Sequence, residues 1–256
     1  MSARIATRSI AVLVIVLPLI FGASVTAFAQ YTQYQFSALD ATAPSSQTAA
    51  TPEPFGLDAL PLTGGQVLSK WTGVVAAIRT EREILSRCRY TTDPCPAAAQ
   101  KFLTVIADGR AHDGRARFGV INRAINMAIE PMSDQAQWGV ADRWSAPLVT
   151  LTTGRGDCED YAIAKYVALE DAGVADEDLR LVIVRDLALG QDHAVVAARL
   201  DQKWIVLDNR RLALVEDVEM PRVVPLFVLD RDGVGQFAPA MIAEIRGGPE
   251  PSALGF

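Results

Sequence analysis

The chemistry in this chain is concentrated around one cysteine, in the stretch Gly154-Arg155-Gly156-Asp157-Cys158-Glu159-Asp160. Two glycines allow a tight approach to a helix start, and Asp157 is of a type that caps one. Cys158 then falls at the first helical position, among unpaired backbone N–H groups and at the positive end of the helix dipole. That setting lowers a thiol pKa and favours the nucleophilic thiolate. The carboxylates of Asp157, Glu159 and Asp160 oppose it, raising the thiol pKa unless a cation or a hydrogen-bond network neutralises them. This conflict points to a bound metal ion, with those three acids as candidate ligands. They also suit an ordinary helix N-terminus, where carboxylates complement the dipole, and Asp160 fits a simple N3 capping role.

A thiolate needs a partner that handles protons. The chain has two histidines. His112, in Ala-His-Asp-Gly, reads as a solvated turn residue. His193 opens the β-like run His193-Ala-Val-Val-Ala-Ala, and the next such run is Trp204-Ile-Val-Leu-Asp208. A two-residue turn at Asp201-Gln202 sets Leu200 opposite Lys203 and His193 opposite Arg210. Asp208 then lies two residues away on the face of His193, and a register shifted by two sets it directly opposite; in either register the carboxylate reaches the imidazole. A lone strand histidine is more often a satisfied core residue, and a lone Asp208 more often ends a strand. Cys158 at a helix start, His193 on one strand and Asp208 on its neighbour form a nucleophile–base–orienter set. The Cys158 backbone N–H is a candidate oxyanion donor.

Three helical stretches precede the cysteine. They are residues 65–85, with Trp71, Val74, Val75 and Ile78 at helical spacing, a second from about Pro96 with Phe102, Leu103 and Ile106, and residues 115–129 with Phe118, Ile121 and Ile125. Residues 141–156 read as loop. A helix from Cys158 to about Ala172 stops at Gly173. The period then changes, and residues 180–186, 193–200, 203–208 and 223–229 read as strands, with Asp230-Arg-Asp-Gly233 as a turn. Helices followed by an antiparallel sheet make an α+β arrangement. Trp138 and Trp144 fit either a substrate cleft or a cover over the core, and the latter is favoured.

The 256 residues suffice for one sizeable domain, and half of them are hydrophobic. With a formal charge of −6 and no Lys/Arg-rich run, nucleic acid is excluded as a partner. Arg4 and Arg8, an apolar run at residues 10–21 and Ala27-Phe28-Ala29 have the pattern of a secretory signal cleaved after Ala29. The apolar run is shorter than the roughly 20 residues of a membrane span, so the processed chain is expected to be exported and not membrane-spanning. Residues 30–60, rich in Ala, Thr, Ser, Gln and Pro, are expected to be flexible, with the ordered domain from residue 61 to 256. In an oxidising compartment Cys88 and Cys95 can form a local disulfide, leaving Cys158 free.

The block Gly156-Asp157-Cys158-Glu159-Asp160-Tyr161-Ala162, with Lys165-Tyr166 and Leu169, resembles the bacterial transglutaminase-like cysteine proteinases, which include the LapG-type periplasmic proteases. Asp192-His193-Ala194-Val195 and Val206-Leu207-Asp208-Asn209 match that family's other two motifs in order and spacing. Asn122, Asn126, Asp142, Trp144 and Pro147 also resemble its pattern, so the match runs over roughly residues 65–237. The resemblance implies a papain-like, transglutaminase-like fold and a Cys158–His193–Asp208 triad. It implies calcium held beside the nucleophile, by position at Asp157, Glu159 and Asp160. It also implies a substrate, the N-terminal region of a large surface adhesin whose cleavage controls biofilm attachment, and a membrane receptor for cyclic di-GMP as a sequestering partner. Two rival readings stand beside the periplasmic protease. One is a crosslinking transglutaminase that passes the acyl group to an amine, and the other is a non-catalytic binding module that keeps the fold.

Overall fold

The computed structural model describes residues 52–90 and 94–238. The expected signal, residues 1–29, and residues 30–51 of the expected flexible segment lie outside them.

The helical spacings become α1 (Gln66–Tyr90), α2 (Ala97–Arg110) and α3 (Gly114–Ala128). Each turns an apolar stripe inward, with Trp71, Val74, Ile78 and Leu85 from α1, Phe102 and Ile106 from α2, and Phe118, Ile121 and Ile125 from α3. Short elements follow: β2 (Glu130–Pro131), α4 (Asp134–Trp138), α5 (Pro147–Thr153) and β3 (Arg155–Gly156), with β2 and β3 paired in parallel. Then comes α6 (Cys158–Asp171). It is buried at every position from Asp160 to Leu169, as a helix enclosed on all sides must be. On one side it meets α2, α3 and α5, and on the other β4 (Leu179–Asp186) and β5 (Gln191–Leu200). Gly173, at φ +96°, ends it, with Val174 N–H bonding Leu169 O and Gly173 N–H bonding Glu170 O. That paired arrangement requires a left-handed residue at Gly173.

The remaining strands are β1 (Ala59–Pro61), β6 (Lys203–Leu207), β7 (Val215–Glu216), β8 (Val223–Leu229) and β9 (Val234–Phe237). With β4 and β5 they form one antiparallel sheet in the order β1-β9-β8-β4-β5-β6-β7. One face, with Leu181, Ile183, Val196, Ala198, Ile205 and Leu207, packs into the helical core. The other carries Val182, Val184, Val195, Ala197 and Val206 beneath Leu57, Met220 and Phe237. The α+β expectation is met.

Three features differ from the sequence reading. The expected loop 141–156 contains α5, whose N-terminal N–H groups at Leu148 and Val149 bond the buried Glu81 carboxylate of α1. A cap supplied from 67 residues away leaves no local signal. Order reaches back to at least Pro52 rather than starting near Pro61. Leu57 is buried, Trp204 Nε1–H bonds Pro52 O at 3.1 Å, Arg180 pairs with Glu53, and β1 pairs with β9. Strands of three and four residues at a sheet edge are too short to show a period. Asp157 takes the N-cap position of α6 in extended backbone, yet its side chain makes no capping bond.

Cys88 and Cys95 are joined in a disulfide at the end of α1, and Cys158 is the free cysteine. No described helix is long and apolar enough to cross a membrane.

Candidate active site

Asp201 and Gln202, both at positive φ, form the two-residue turn between β5 and β6 and pair Leu200 with Lys203. In this expected register β6 ends with Leu207 opposite Val196. The part of β5 carrying His193 and Ala194 is therefore paired only on its β4 side. Into that gap come Asp208, from the end of β6, and Cys158, from the start of α6.

His193 and Asp208 are both 2% exposed, and His193 Nε2 lies 2.9 Å from Asp208 Oδ1. Held against a carboxylate, Nε2 carries the proton and donates it, which leaves Nδ1 with the lone pair in neutral imidazole. Nδ1 is buried and has no hydrogen-bond partner among the described residues. Asp208 is fixed from several directions. Arg210 N–H donates to Oδ1 at 2.9 Å, Arg211 Nε lies 3.3 Å from Oδ2, and Asn126 Nδ2 donates to the Asp208 carbonyl at 3.0 Å. Asn122 Nδ2 holds the Arg211 and Leu212 carbonyls. Burial would raise the Asp208 pKa, but His193, the Arg210 amide and Lys165 outweigh it and hold the carboxyl below its ordinary value.

Cys158 is the first residue of α6, and its sulfur meets the backbone amide of Ala194, next to His193. Tyr161 N–H, bonded to Asp157 O at 3.2 Å, begins the helical ladder, so the Cys158 N–H lies outside it. The thiol donates to Glu159 Oε2 at 3.3 Å. Burial raises its pKa first and Glu159 adds to that, while the Ala194 amide works the other way. Burial and Glu159 together thus outweigh the Ala194 amide.

The three acids expected as ligands do not stand alone. Asp134, on α4 and 1% exposed, is their common neighbour. Carboxylate oxygens of Asp134, Asp157 and Asp160 lie within 4.8 Å of one another, as do those of Asp134, Asp142 and Glu159. Asp134 Oδ1, Asp157 Oδ1 and Asp160 Oδ2 are buried without a hydrogen-bond partner among the described residues. Asp160 Oδ1 accepts Ser145 N–H at 2.9 Å, Asp134 accepts Arg143 N–H, and Asp142 pairs with Lys70. Burial, then crowding by the other acids, pushes Asp160 up to about 7 and Glu159 up to about 9. Orphaned, crowded carboxylate oxygens are what a hard divalent cation requires, and the donor set fits calcium. Gly156 keeps the cluster tight, because a Cβ there would lie 2.6 Å from Asp160 Oδ2. Asp134 and Asp142 escaped the sequence reading as ligands because each stands in a segment with no recognisable ligand spacing.

Other sequence candidates take structural places. Asp230 heads the β8–β9 turn, accepting the Asp232 and Gly233 N–H groups. Trp144 packs on the core with Lys70 Nζ 5.8 Å from its ring, and Arg143 covers Trp138 at 4.1 Å. His112 is exposed and bonds Asp108 O through Nδ1.

The fold is similar to that of LapG from Legionella pneumophila, with a TM-score of 0.51 at 21% identity over 60% of this chain and 86% of that one. EGTA-treated LapG gives 0.50 at 21% identity, over 60% and 84%. Calcium-bound LapG gives 0.49 at 20% identity, over 71% and 93%. None of the curated proteins compared matches the chain. The family model of the bacterial transglutaminase-like cysteine proteinases, BTLCP, matches residues 84–219, more than half of the chain and all of the site above, and the chain belongs to that family.

Proposed function

We propose that this protein is a calcium-dependent cysteine endopeptidase in which Cys158, His193 and Asp208 form the catalytic triad. The observation that carries this reading is the buried His193–Asp208 pair, with the Cys158 sulfur against the adjacent Ala194 amide. Asp208 accepts the Nε2 proton, so Nδ1 is the nitrogen available to the thiol. Cys158 Sγ attacks the peptide carbonyl carbon as its proton passes to His193 Nδ1. The carbonyl oxygen becomes an oxyanion, for which the Cys158 N–H at the helix start is the donor at hand. The C–N bond then breaks, the amine leaves with the proton from His193, and a thioester remains on Cys158. Water, deprotonated by His193, hydrolyses it and restores the thiol.

Burial, and then Glu159, whose Oε2 accepts a hydrogen bond from the sulfur, hold Cys158 as a thiol. Calcium held by Asp134, Asp157, Glu159 and Asp160, with Asp142 at the margin, would supply positive charge that neutralises these acids and favours the thiolate. The family likeness supports a periplasmic setting, a large surface adhesin cut in its N-terminal region as substrate, control of biofilm attachment as the outcome, and a cyclic di-GMP receptor as partner. The test is incubation of the purified protein and calcium with the N-terminal region of a large adhesin from the same organism, beside Cys158→Ala. A cut that needs Cys158 and disappears with EGTA supports the reading. No cut by a folded, thiol-reactive protein rejects that substrate, and a cut by Cys158→Ala rejects the triad.

A further inference from the structure

The five acids around the start of α6 differ in what they face. Asp134 and Asp160 are each 1% exposed, and Asp134 Oδ1, Asp157 Oδ1 and Asp160 Oδ2 are buried without a hydrogen-bond partner among the described residues. Asp142 lies on the open side, with its side chain half exposed. One of its oxygens is within 4.8 Å of an oxygen on Asp134 and another on Glu159, so this acid closes the cluster toward solvent. Among the described residues it also makes the one ion pair held by any of the five, to the ammonium of Lys70.

Lys70 reaches Asp142 from α1, a firm base. The next residue, Trp71, is 2% exposed and donates Nε1–H to Asp230 O at 2.7 Å, and Val74, one turn on, is 3% exposed. The neighbouring cation is engaged elsewhere, for the Arg143 guanidinium lies 4.1 Å from the Trp138 ring centroid. The Lys70 ammonium has a second resting place, the face of Trp144, 5.8 Å from its centroid. Lys70, Asp142 and Trp144 line one surface groove of about 410 Å³, which gives the ammonium room to leave the carboxylate.

A part-exposed ion pair contributes little stability by itself. Here its acidic partner belongs to the carboxylate set that fits calcium, and a dication and an ammonium on one carboxylate repel each other. At a separation of about 5 Å in water-like surroundings the repulsion changes affinity roughly tenfold, and salt reduces it.

We propose that Lys70 is a built-in competitor at the calcium site. Its ammonium occupies Asp142 until calcium takes that carboxylate, and so it sets the calcium concentration at which the site fills. The proposal rests on the calcium reading above and concerns affinity, not the peptide-bond chemistry.

The experiment uses full-length wild type, Lys70→Met, Lys70→Arg, Asp142→Asn and the double variant Lys70→Met/Asp142→Asn. Each is stripped with EGTA, exchanged into buffer of about 0.1 M salt and titrated with calcium by calorimetry. Lys70→Met should bind calcium about three- to tenfold tighter than wild type, whereas Lys70→Arg, which keeps the charge, should stay within about twofold. In the Asp142→Asn background the gain from Lys70→Met should fall below about twofold, because the competition runs through that carboxylate. Equal or weaker binding by Lys70→Met would overturn the proposal. So would the same gain in the Asp142→Asn background, or Lys70→Arg binding as tightly as Lys70→Met. Should Asp142→Asn bind no calcium, the comparison of Lys70→Met with Lys70→Arg decides. Wild type that takes up no calcium would instead overturn the calcium reading, so the two failures are distinct.

Discussion

The carboxylate cluster predicts a pH dependence of stability that one substitution should remove. Asp160 is 1% exposed, accepts a single N–H from Ser145, and faces Asp157 and Asp134. Burial and those neighbours raise its pKa from 3.8 to about 7. A carboxyl whose pKa is higher in the folded than in the unfolded chain favours folding in its protonated form. That contribution is complete below pH 3.8 and is lost as the pH climbs through about 7. The loss through this group is on the order of 4 kcal/mol between pH 3 and pH 8. Asp160→Asn keeps an oxygen for the Ser145 N–H and never ionises. In EGTA, urea unfolding followed by tryptophan fluorescence should show wild type weakening from pH 4 to pH 8 more steeply than Asp160→Asn. Saturating calcium should flatten the wild-type curve, adding about 2.7 kcal/mol at a hundredfold excess over its dissociation constant, and should help the variant less. Equal slopes for the two proteins in EGTA would show that Asp160 does not ionise across this range at a cost to the fold.

Two further substitutions test how the site is held. Glu81→Ala removes the acceptor for the Leu148 and Val149 N–H groups at the start of α5. With two donors orphaned it should destabilise the protein by about 2–4 kcal/mol in urea unfolding, and a loss under 1 kcal/mol would show that the cap is replaceable. Gly156→Ala places a methyl group 2.6 Å from Asp160 Oδ2 and 2.7 Å from its Cβ. It should lower stability by about 1–3 kcal/mol and weaken calcium binding in titration calorimetry, and wild-type calcium affinity would contradict the close approach.

Most of the fold was legible because its long elements carry strong periods and clear stops. The α1, α2, α3 and α6 stripes, the Gly173 stop and the Asp201-Gln202 turn are local signals, and of the two registers the sequence allows the structure has the one set by that two-residue turn, with Asp208 at His193. What escaped depends on partners distant in sequence. The α5 helix is capped by Glu81, β1 is a three-residue edge strand that pairs with the four-residue β9, and residues 52–58 are held by Trp204, Arg180 and the outer sheet face. The same holds at the site. The acids beside Cys158 were visible as a run, whereas Asp134 joins them only once α4 is folded against the start of α6. Lys165 matched a family pattern, but its burial follows from β4 and β5 closing over α6 opposite the other helices, which no local signal shows.

The proposed chemistry turns on Cys158 being the nucleophile of a peptidase, and a direct test of that role does not depend on which protein is the substrate. Purified wild type, Cys158→Ala and His193→Ala are each incubated in calcium with a complex peptide library, and new termini are counted by mass spectrometry. Wild type should generate new termini and neither variant should exceed background, all three proteins being folded. Termini produced equally by Cys158→Ala would remove Cys158 from the chemistry.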